Sequence, residues 1–119
     1  MYPLTIGLAI ETRDLWEQAQ ACLANLPFRI IVEHQDITDV SSFIDRLERM
    51  RPDVVLMDIS GWKEPLESLV AKIRAATGDP MIVALNTTAE ADAILASLRA
   101  GINEYLYPPL EEPLKRALE

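Results

Sequence analysis

The chain has few of the residues that would tie it to a disulfide framework, a nucleic acid or a membrane. One cysteine, Cys22, stands among 119 residues, so no internal disulfide can form and a cytoplasmic location is expected. No basic run occurs, and 11 Lys and Arg against 19 Asp and Glu give a net charge of −8, which argues against direct contact with nucleic acid. The first segment, MYPLTIGLAIETRD, has no basic lead and soon reaches an acidic residue, so neither a signal peptide nor membrane insertion is expected.

Sequence motifs of common enzyme classes are also missing. There is no GxGxxG, no P-loop and no GxSxG pattern, so nucleotide binding and hydrolase chemistry have no motif to support them. What the chain does have is 50% apolar residues in a length that suits one globular domain. We therefore expect residues 1–119 to form a single domain that is not an enzyme and that begins a longer protein.

Short apolar runs alternate with helical patterns along the whole chain. The runs are too short for buried helices and predict strands: Leu4–Ile10, Phe28–Val32, Val54–Met57, Met81–Leu85 and a weaker Glu104–Tyr107. Apolar residues spaced by three and four predict helices between them: one with Leu15, Ala19, Cys22, Leu23 and Leu26; one over Val40–Met50; one with Leu66, Leu69, Val70 and Ile73; one with Ala91, Ile94, Leu95 and Leu98; and one starting near Pro109 or Leu110.

This alternation predicts the fold class. Strands separated by single helices pair in parallel through right-handed crossovers. The runs VVLM and MIVAL are apolar without alternation, as expected for central strands covered on both faces. The sequence therefore predicts an α/β fold with a doubly wound, five-stranded parallel sheet and helices on both faces, a three-layer sandwich.

Polar residues at the strand ends are the candidates for chemistry, because open parallel sheets bind ligands beyond the carboxyl ends of their strands. Asp58 follows four apolar residues in RPDVVLMDIS, and a carboxylate there is costly to bury unless it has a role. Two interpretations stand. Asp58 either belongs to a strand-end site or is a structural residue that orders the following turn, Ser60-Gly61-Trp62.

Three segments then carry a resemblance to a known family. PDVVLMD at the third strand, the Arg-Pro-Asp that leads into it, and LRAGINEYL after the fourth helix resemble the receiver domain of two-component response regulators, with its CheY-like, flavodoxin-like fold. The resemblance covers essentially the whole chain. It implies that an acidic pair after strand one and the strand-three aspartate hold magnesium, and that the aspartate accepts a phosphoryl group. It further implies a hydroxyl residue after strand four and a lysine after strand five.

This chain matches only some of the functional positions that the resemblance implies. The acidic pair falls on Ile10 and Glu11, so only Glu11 and Asp58 remain as an alternative magnesium pair. The hydroxyl position falls on Asn86, or on Thr87 if the register slips by one residue. The lysine position falls on Pro108, which has no charge and no N–H to offer an anion.

These losses remove charge stabilisation on which phosphoryl transfer depends. The expectation is a non-catalytic pseudo-receiver that uses no cofactor. The alternative is an authentic receiver, phosphorylated on Asp58 with Mg²⁺ in a phosphorelay. The segment YLYPPLEEPLKRALE also resembles the N-terminal domain of TadZ/CpaE-type pilus-assembly proteins. That resemblance implies protein partners in a pilus or secretion machine and a cytoplasmic protein placed at the cell pole.

In receivers, the surface of helix four, strand five and helix five is the usual docking face. It implies Ile102, Tyr105 and Tyr107 as interface candidates, for a partner protein or a second copy of the chain, with packing at the sheet edge as the alternative. His34 has no second ligand nearby and is expected to be a solvated loop residue. Trp62 is interpreted either as a partner anchor near Asp58 or as an aromatic lid on the third helix.

Overall fold

The computed structural model describes residues 4–35, 39–60 and 65–118. Within these ranges five strands alternate with five helices, as the apolar runs predict. In order they are β1 (Leu4–Ala9), α1 (Arg13–Leu23), β2 (Phe28–His34), α2 (Val40–Met50), β3 (Val54–Asp58), α3 (Leu66–Thr77), β4 (Met81–Leu85), α4 (Ala91–Arg99), β5 (Glu104–Leu106) and α5 (Glu111–Leu118).

All strands pair in parallel, in the order β2-β1-β3-β4-β5. Strand order reverses at β1, because the chain moves outward to β2 and then returns to the other side with β3. The carboxyl ends of β1 and β3 are therefore neighbours at the switch point, where sheets of this type bind ligands. Asp58, the last residue of β3, and Glu11, which follows β1, lie at this edge.

The core has two halves, one on each face of the sheet, and this confirms the three-layer sandwich. Leu15 and Ala19 of α1 join Leu114 and Leu118 of α5 on one face. Helices α2 and α3 cover the other face, where their buried residues pack against β3 and β4. The strand residues alternate between the two halves, so the central strands are apolar on both sides.

Helix α2 has the bounds that the sequence predicts, whereas the ends of β5 and α5 differ slightly from the prediction. Asp39 caps α2 by accepting a hydrogen bond from the Ser42 amide, 3.1 Å away. Strand β5 ends at Leu106 rather than Tyr107, and α5 begins at Glu111 rather than at Pro109 or Leu110. In the part of the chain that the structure describes, no helix is long and apolar enough to cross a membrane.

The buried face of α4 is not the one its leucines suggest. Ser97 faces the core with 1% of its surface exposed, and its hydroxyl donates to the carbonyl of Ala93 at 2.9 Å. Leu95 and Leu98 are 48% and 60% exposed. This helix therefore presents Leu95 and Leu98 outward, away from the sheet, while Ile94 is half-buried.

Gly7 lets α2 and the start of β3 approach β1 closely. A Cβ at this position would lie 3.1 Å from Cγ of Pro52 and 3.3 Å from Cδ2 of Leu47. We expect Gly7→Ala to lower the free energy of unfolding by about 1–3 kcal/mol, because buried neighbours must move to admit the methyl group. Urea unfolding measures the change. An unchanged urea midpoint would mean that Pro52 and Leu47 can move aside at no cost in stability.

Candidate functional site

Asp58 is the centre of the candidate site, and both of its carboxylate oxygens already have partners. Oδ2 accepts from the backbone amides of Glu11, at 3.2 Å, and Thr12, at 2.7 Å. Oδ1 accepts from the amide and the hydroxyl of Ser60, at 2.9 and 2.5 Å. The side chain is only 2% exposed. It therefore joins the loop after β1 to the loop after β3 through four hydrogen bonds.

A hydroxyl pair extends this network. Oγ1 of Thr12 lies 2.9 Å from Oγ of Ser60. Because the one hydroxyl proton of Ser60 is donated to Asp58, the Thr12 hydroxyl must donate to Ser60. Thr12 is also the N-cap residue of α1, immediately before Arg13. Asp58, Ser60 and Thr12 thus fasten the amino end of α1 to β3, and we call these three residues the latch.

The latch holds Asp58 in its charged form. Burial acts to raise the pKa of the Asp58 carboxyl, but hydrogen bonds from Ser60 and Thr12 outweigh it and leave the pKa below its ordinary value. The carboxylate is thus an acceptor with four donors. This geometry matches the structural interpretation of Asp58 as far as Ser60, because the side chain accepts two hydrogen bonds from that residue.

The two positions that the resemblance assigns to the acidic pair differ in burial and in charge. Ile10 is 1% exposed and belongs to the core half that contains α1 and α5, while Glu11 is exposed. Mg²⁺ needs oxygen ligands in near-octahedral geometry. Within residues 4–35, 39–60 and 65–118, no three His, Cys, Asp or Glu side chains form a group that could hold a metal ion. Of the implied acidic pair, only Glu11 therefore offers a carboxylate next to Asp58.

Asn86 and Thr87, at the carboxyl end of β4, engage each other. The buried Asn86 side-chain oxygen accepts from the Thr87 amide at 2.7 Å, and the Thr87 hydroxyl lies 3.5 Å from the same oxygen. Thr87 itself is exposed. Asn86 is thus the buried residue at the end of β4, and its side-chain oxygen accepts the hydrogen bond of the local turn.

The predicted lysine position is part of an apolar groove. Pro108 is half-buried, and a cis peptide bond joins it to Pro109. The groove has a volume of about 390 Å³. Its walls are Tyr105, Leu106, Tyr107, Pro108, Pro109 and Pro113. Pro108 therefore supplies apolar surface at the position that the resemblance assigns to a lysine.

The three interface candidates differ in accessibility. Ile102 is buried in the core half that contains α2 and α3, so the expectation that it contributes to an exposed face is wrong. Tyr105 packs against the same core half, and its hydroxyl donates to the Thr88 carbonyl at 2.7 Å. Burial raises the pKa of the Tyr105 hydroxyl. Tyr107 is 47% exposed and remains a contact candidate. Trp62 lies outside the described residues.

His34 is not the solvated loop residue that the sequence suggests. It ends β2, is buried, and stacks on Phe43 with ring centroids 5.2 Å apart. Its Nε2 lies 3.1 Å from the carbonyl of Asp39, so this nitrogen carries a proton.

Behind Asp58, a cavity of about 20 Å³ borders His34 and Phe43, which is room for one water but not for a substrate.

Cys22 lies in the core, as predicted. Its thiol is buried between α1 and α5 and lies 3.5 Å from the carbonyl of Glu111. Burial, together with the charges of Glu111 and Glu112, raises the pKa of the Cys22 thiol. The thiol is therefore held in its neutral, unreactive form.

Comparison with solved structures identifies the fold. A response regulator from Thermotoga maritima superimposes with a TM-score of 0.75 at 24% identity, covering 96% of both chains. The receiver domain of a sensor histidine kinase from Pseudomonas aeruginosa, solved with magnesium in its active-site cleft, gives 0.75 at 27% identity and covers 98% of this chain and 94% of that one. The chain has the CheY-like receiver fold.

A further structural neighbour is linked by its name to pilus assembly. It is a putative pilus assembly-related protein from Burkholderia pseudomallei, with a TM-score of 0.72 at 18% identity, covering 96% of this chain and 88% of that one. The sequence matches no protein-family model, and no curated protein is similar to it. At these identities the receiver neighbours establish architecture, and the function has to be argued from the residues.

Proposed function

We propose that this receiver fold is a pseudo-receiver: an interaction and targeting domain that neither binds magnesium nor accepts a phosphoryl group. The carrying observation is the state of Asp58, whose two oxygens receive four hydrogen bonds from Glu11, Thr12 and Ser60. A phosphoacceptor needs one oxygen free to attack and the other on a metal ion. Here both are committed to holding loops together.

Two further positions support the proposal. Ile10 puts a buried aliphatic side chain where a second acidic ligand is needed, and Pro108 puts an apolar ring where a cation is needed. Each change removes a charge that would offset the phosphoryl group or hold its metal. A domain with these residues works through its surface, so its partners are proteins.

The targeting role is drawn from the pilus-assembly resemblance. The segment YLYPPLEEPLKRALE is similar to TadZ/CpaE-type proteins, and a pilus-related protein is among the structural neighbours. We infer that the domain belongs to a cytoplasmic protein of this type, acting at the cell pole within a pilus or secretion machine. Its docking face is formed by α4, β5 and α5, where Leu95, Leu98 and Tyr107 are exposed.

The second candidate is an authentic receiver phosphorylated on Asp58. The magnesium-bound histidine-kinase receiver from Pseudomonas aeruginosa, at 27% identity, favours it, as does the exposed carboxylate of Glu11 beside the carboxyl edge. For this candidate to act, the latch must open so that Ser60 and the two amides release Asp58.

A magnesium titration followed by NMR separates the two candidates. The amide protons of Glu11 and Thr12 report directly on Asp58, because both donate to its Oδ2. We expect their chemical shifts to stay unchanged up to millimolar Mg²⁺, apart from the small drift that calcium also causes. Saturable shifts that vanish in Asp58→Asn would contradict the pseudo-receiver and support the phosphorelay.

A further inference from the structure

Arginine side chains line the sheet edge at β2, in a chain whose net charge is −8. Arg46 and Arg49 are both exposed on α2, and because they are three residues apart they lie on the same flank of the helix. Nη1 of Arg46 donates to the carbonyl of Glu33 at 2.8 Å. This flank of α2 therefore faces β2, the edge strand of the sheet.

A third arginine comes from the strand itself. Phe28 and Ile30 pack against the core half that contains α1 and α5, so strand alternation turns the exposed Arg29 to the face that α2 covers. Arg29 pairs in register with Thr5, whose amide and hydroxyl donate to the carboxylate of Asp53 just after α2. The start of β2 thus lies near the end of α2. Three exposed guanidinium groups follow this edge and form the arginine strip: Arg29, Arg46 and Arg49.

The acidic residues around the arginine strip do not neutralise it. Glu33 extends to the other face of the sheet, where its carboxylate lies 3.5 Å from the amide of Gln20, and Asp53 is bound to β1. Asp45 and Glu48 share α2 with the strip. Within residues 4–35, 39–60 and 65–118, none of the three arginines takes part in a salt bridge. The strip is therefore a concentration of positive charge on an acidic protein.

Solubility does not explain this concentration, because a net charge of −8 already keeps copies of the chain apart. Like charges three residues apart on a helix also repel each other, so Arg46 and Arg49 stabilise α2 less than one base and one acid would. A bound anion reverses that repulsion. Guanidinium groups take carboxylates through two parallel hydrogen bonds, and a row of them fits successive acidic side chains of an extended segment.

A membrane surface fits the strip less well. Anionic lipid is recognised by clusters of about four to eight Lys and Arg, and by surfaces that the whole protein can approach. Here three arginines stand on a domain whose overall charge is repelled by anionic lipid. A narrow acidic segment reaches the strip without bringing a large negative surface against the rest of the domain.

We propose that the arginine strip binds an acidic, carboxylate-rich segment of a partner protein. The strip lies at the β2 edge of the sheet, and the docking face of α4, β5 and α5 lies at the opposite edge. It is thus a second interaction surface, which goes beyond the proposed function. Two partners could then bind at the same time on opposite sides of the domain.

Fluorescence anisotropy with a fluorescein-labelled octaglutamate peptide tests the proposal. The titration is run at about 0.15 M salt, where repulsion between exposed charges is screened beyond about 8 Å. We expect saturable binding that Arg29→Glu and Arg49→Glu each weaken at least about tenfold, because each variant sets a carboxylate against the peptide's carboxylates. Lys72→Glu makes the same change of charge on the exposed surface of α3. This matched control should alter the affinity by less than about twofold, because its charge is remote from the strip.

Three results would overturn the proposal. They are no saturable binding of octaglutamate at millimolar concentration, a loss of affinity in Lys72→Glu as large as in the strip variants, and binding of phosphatidylglycerol vesicles in place of the peptide. The second would reduce the effect to net charge, and the third would make the ligand a membrane surface. Circular dichroism verifies that each variant is folded. The magnesium titration does not involve the β2 edge, so a failure here and a failure of the pseudo-receiver proposal are distinguishable.

Discussion

Replacing Asp58 by alanine should destabilise the domain by about 2–4 kcal/mol, because the part-buried amide of Thr12 and the donors of Ser60 lose a charged acceptor. The sign of this change in stability distinguishes a cluster of acidic ligands from the latch. In a site built from clustered carboxylates, like charges repel, and removing one of them relieves that repulsion. In the latch, Asp58 is surrounded by donors, so its removal can only cost stability.

Urea unfolding of matched variants gives the measurement. Asp45→Ala removes a carboxylate from the exposed surface of α2 and should change the free energy of unfolding by less than about 0.5 kcal/mol. Ser60→Ala removes the hydroxyl that bridges Thr12 and Asp58. Its loss in the free energy of unfolding should lie between those of Asp58→Ala and Asp45→Ala. If Asp58→Ala were neutral or stabilising, the latch would be no more than a resting arrangement of a functional acidic site.

The same contacts predict an acid dependence. The folded-state pKa of Asp58 lies below its unfolded value, so the folded state holds the proton less tightly than the unfolded state. This contribution to stability is complete above the ordinary aspartate pKa of about 4 and disappears as the pH falls through the lowered value. Measuring the free energy of unfolding of the native chain and of Asp58→Asn from neutral pH to strong acid isolates this contribution. Only the native chain should lose it as the pH falls.

Restoring the missing acid alone should strongly destabilise the domain. Ile10→Asp places a carboxylate at a position that is 1% exposed and packed in an apolar core, and we expect a loss of about 3–5 kcal/mol. Ile10→Val keeps the site apolar and should cost about 1 kcal/mol. The contrast between the two separates burial of charge from loss of volume.

Magnesium makes this test specific to the function. In a receiver that has lost one ligand, Ile10→Asp combined with Pro108→Lys would be stabilised by millimolar Mg²⁺, since a ligand that binds only the folded state raises its stability. Our account predicts that millimolar Mg²⁺ stabilises the double variant and leaves the stability of the native chain unchanged. A double variant that magnesium does not stabilise would count against the assignment of Ile10 to the acidic pair and of Pro108 to the lysine position.

The sequence predicts the fold well because the fold depends on local periodicity. Short apolar runs and three-four spacing give every strand and helix, and their alternation leaves a parallel sheet as the consistent topology. Errors arise where a boundary shifts. Strand β2 extends to His34, two residues beyond the apolar run, and strand alternation then turns His34 inward beside Val32 rather than into a loop.

The α4 helix shows a different limit. Its leucines satisfy a helical pattern, but the pattern does not say which side meets the sheet, and Ser97 takes the buried position because its hydroxyl bonds to its own helix. The latch is less predictable still. Thr12 and Ser60 lie 48 residues apart, and only the neighbouring ends of β1 and β3 bring their hydroxyls together. Asp58 could be singled out from its strand, but not its partners.

Intact-mass spectrometry after incubation with acetyl phosphate and magnesium tests the central claim most directly. The native chain should retain its unmodified mass, because Asp58 is held by the latch and lacks both the second acidic ligand and the cation that phosphoryl transfer requires. An authentic receiver treated in parallel confirms that the reagent is active. A single phosphoryl adduct on the native chain that disappears in Asp58→Asn would contradict the account and make the domain a phosphorelay receiver.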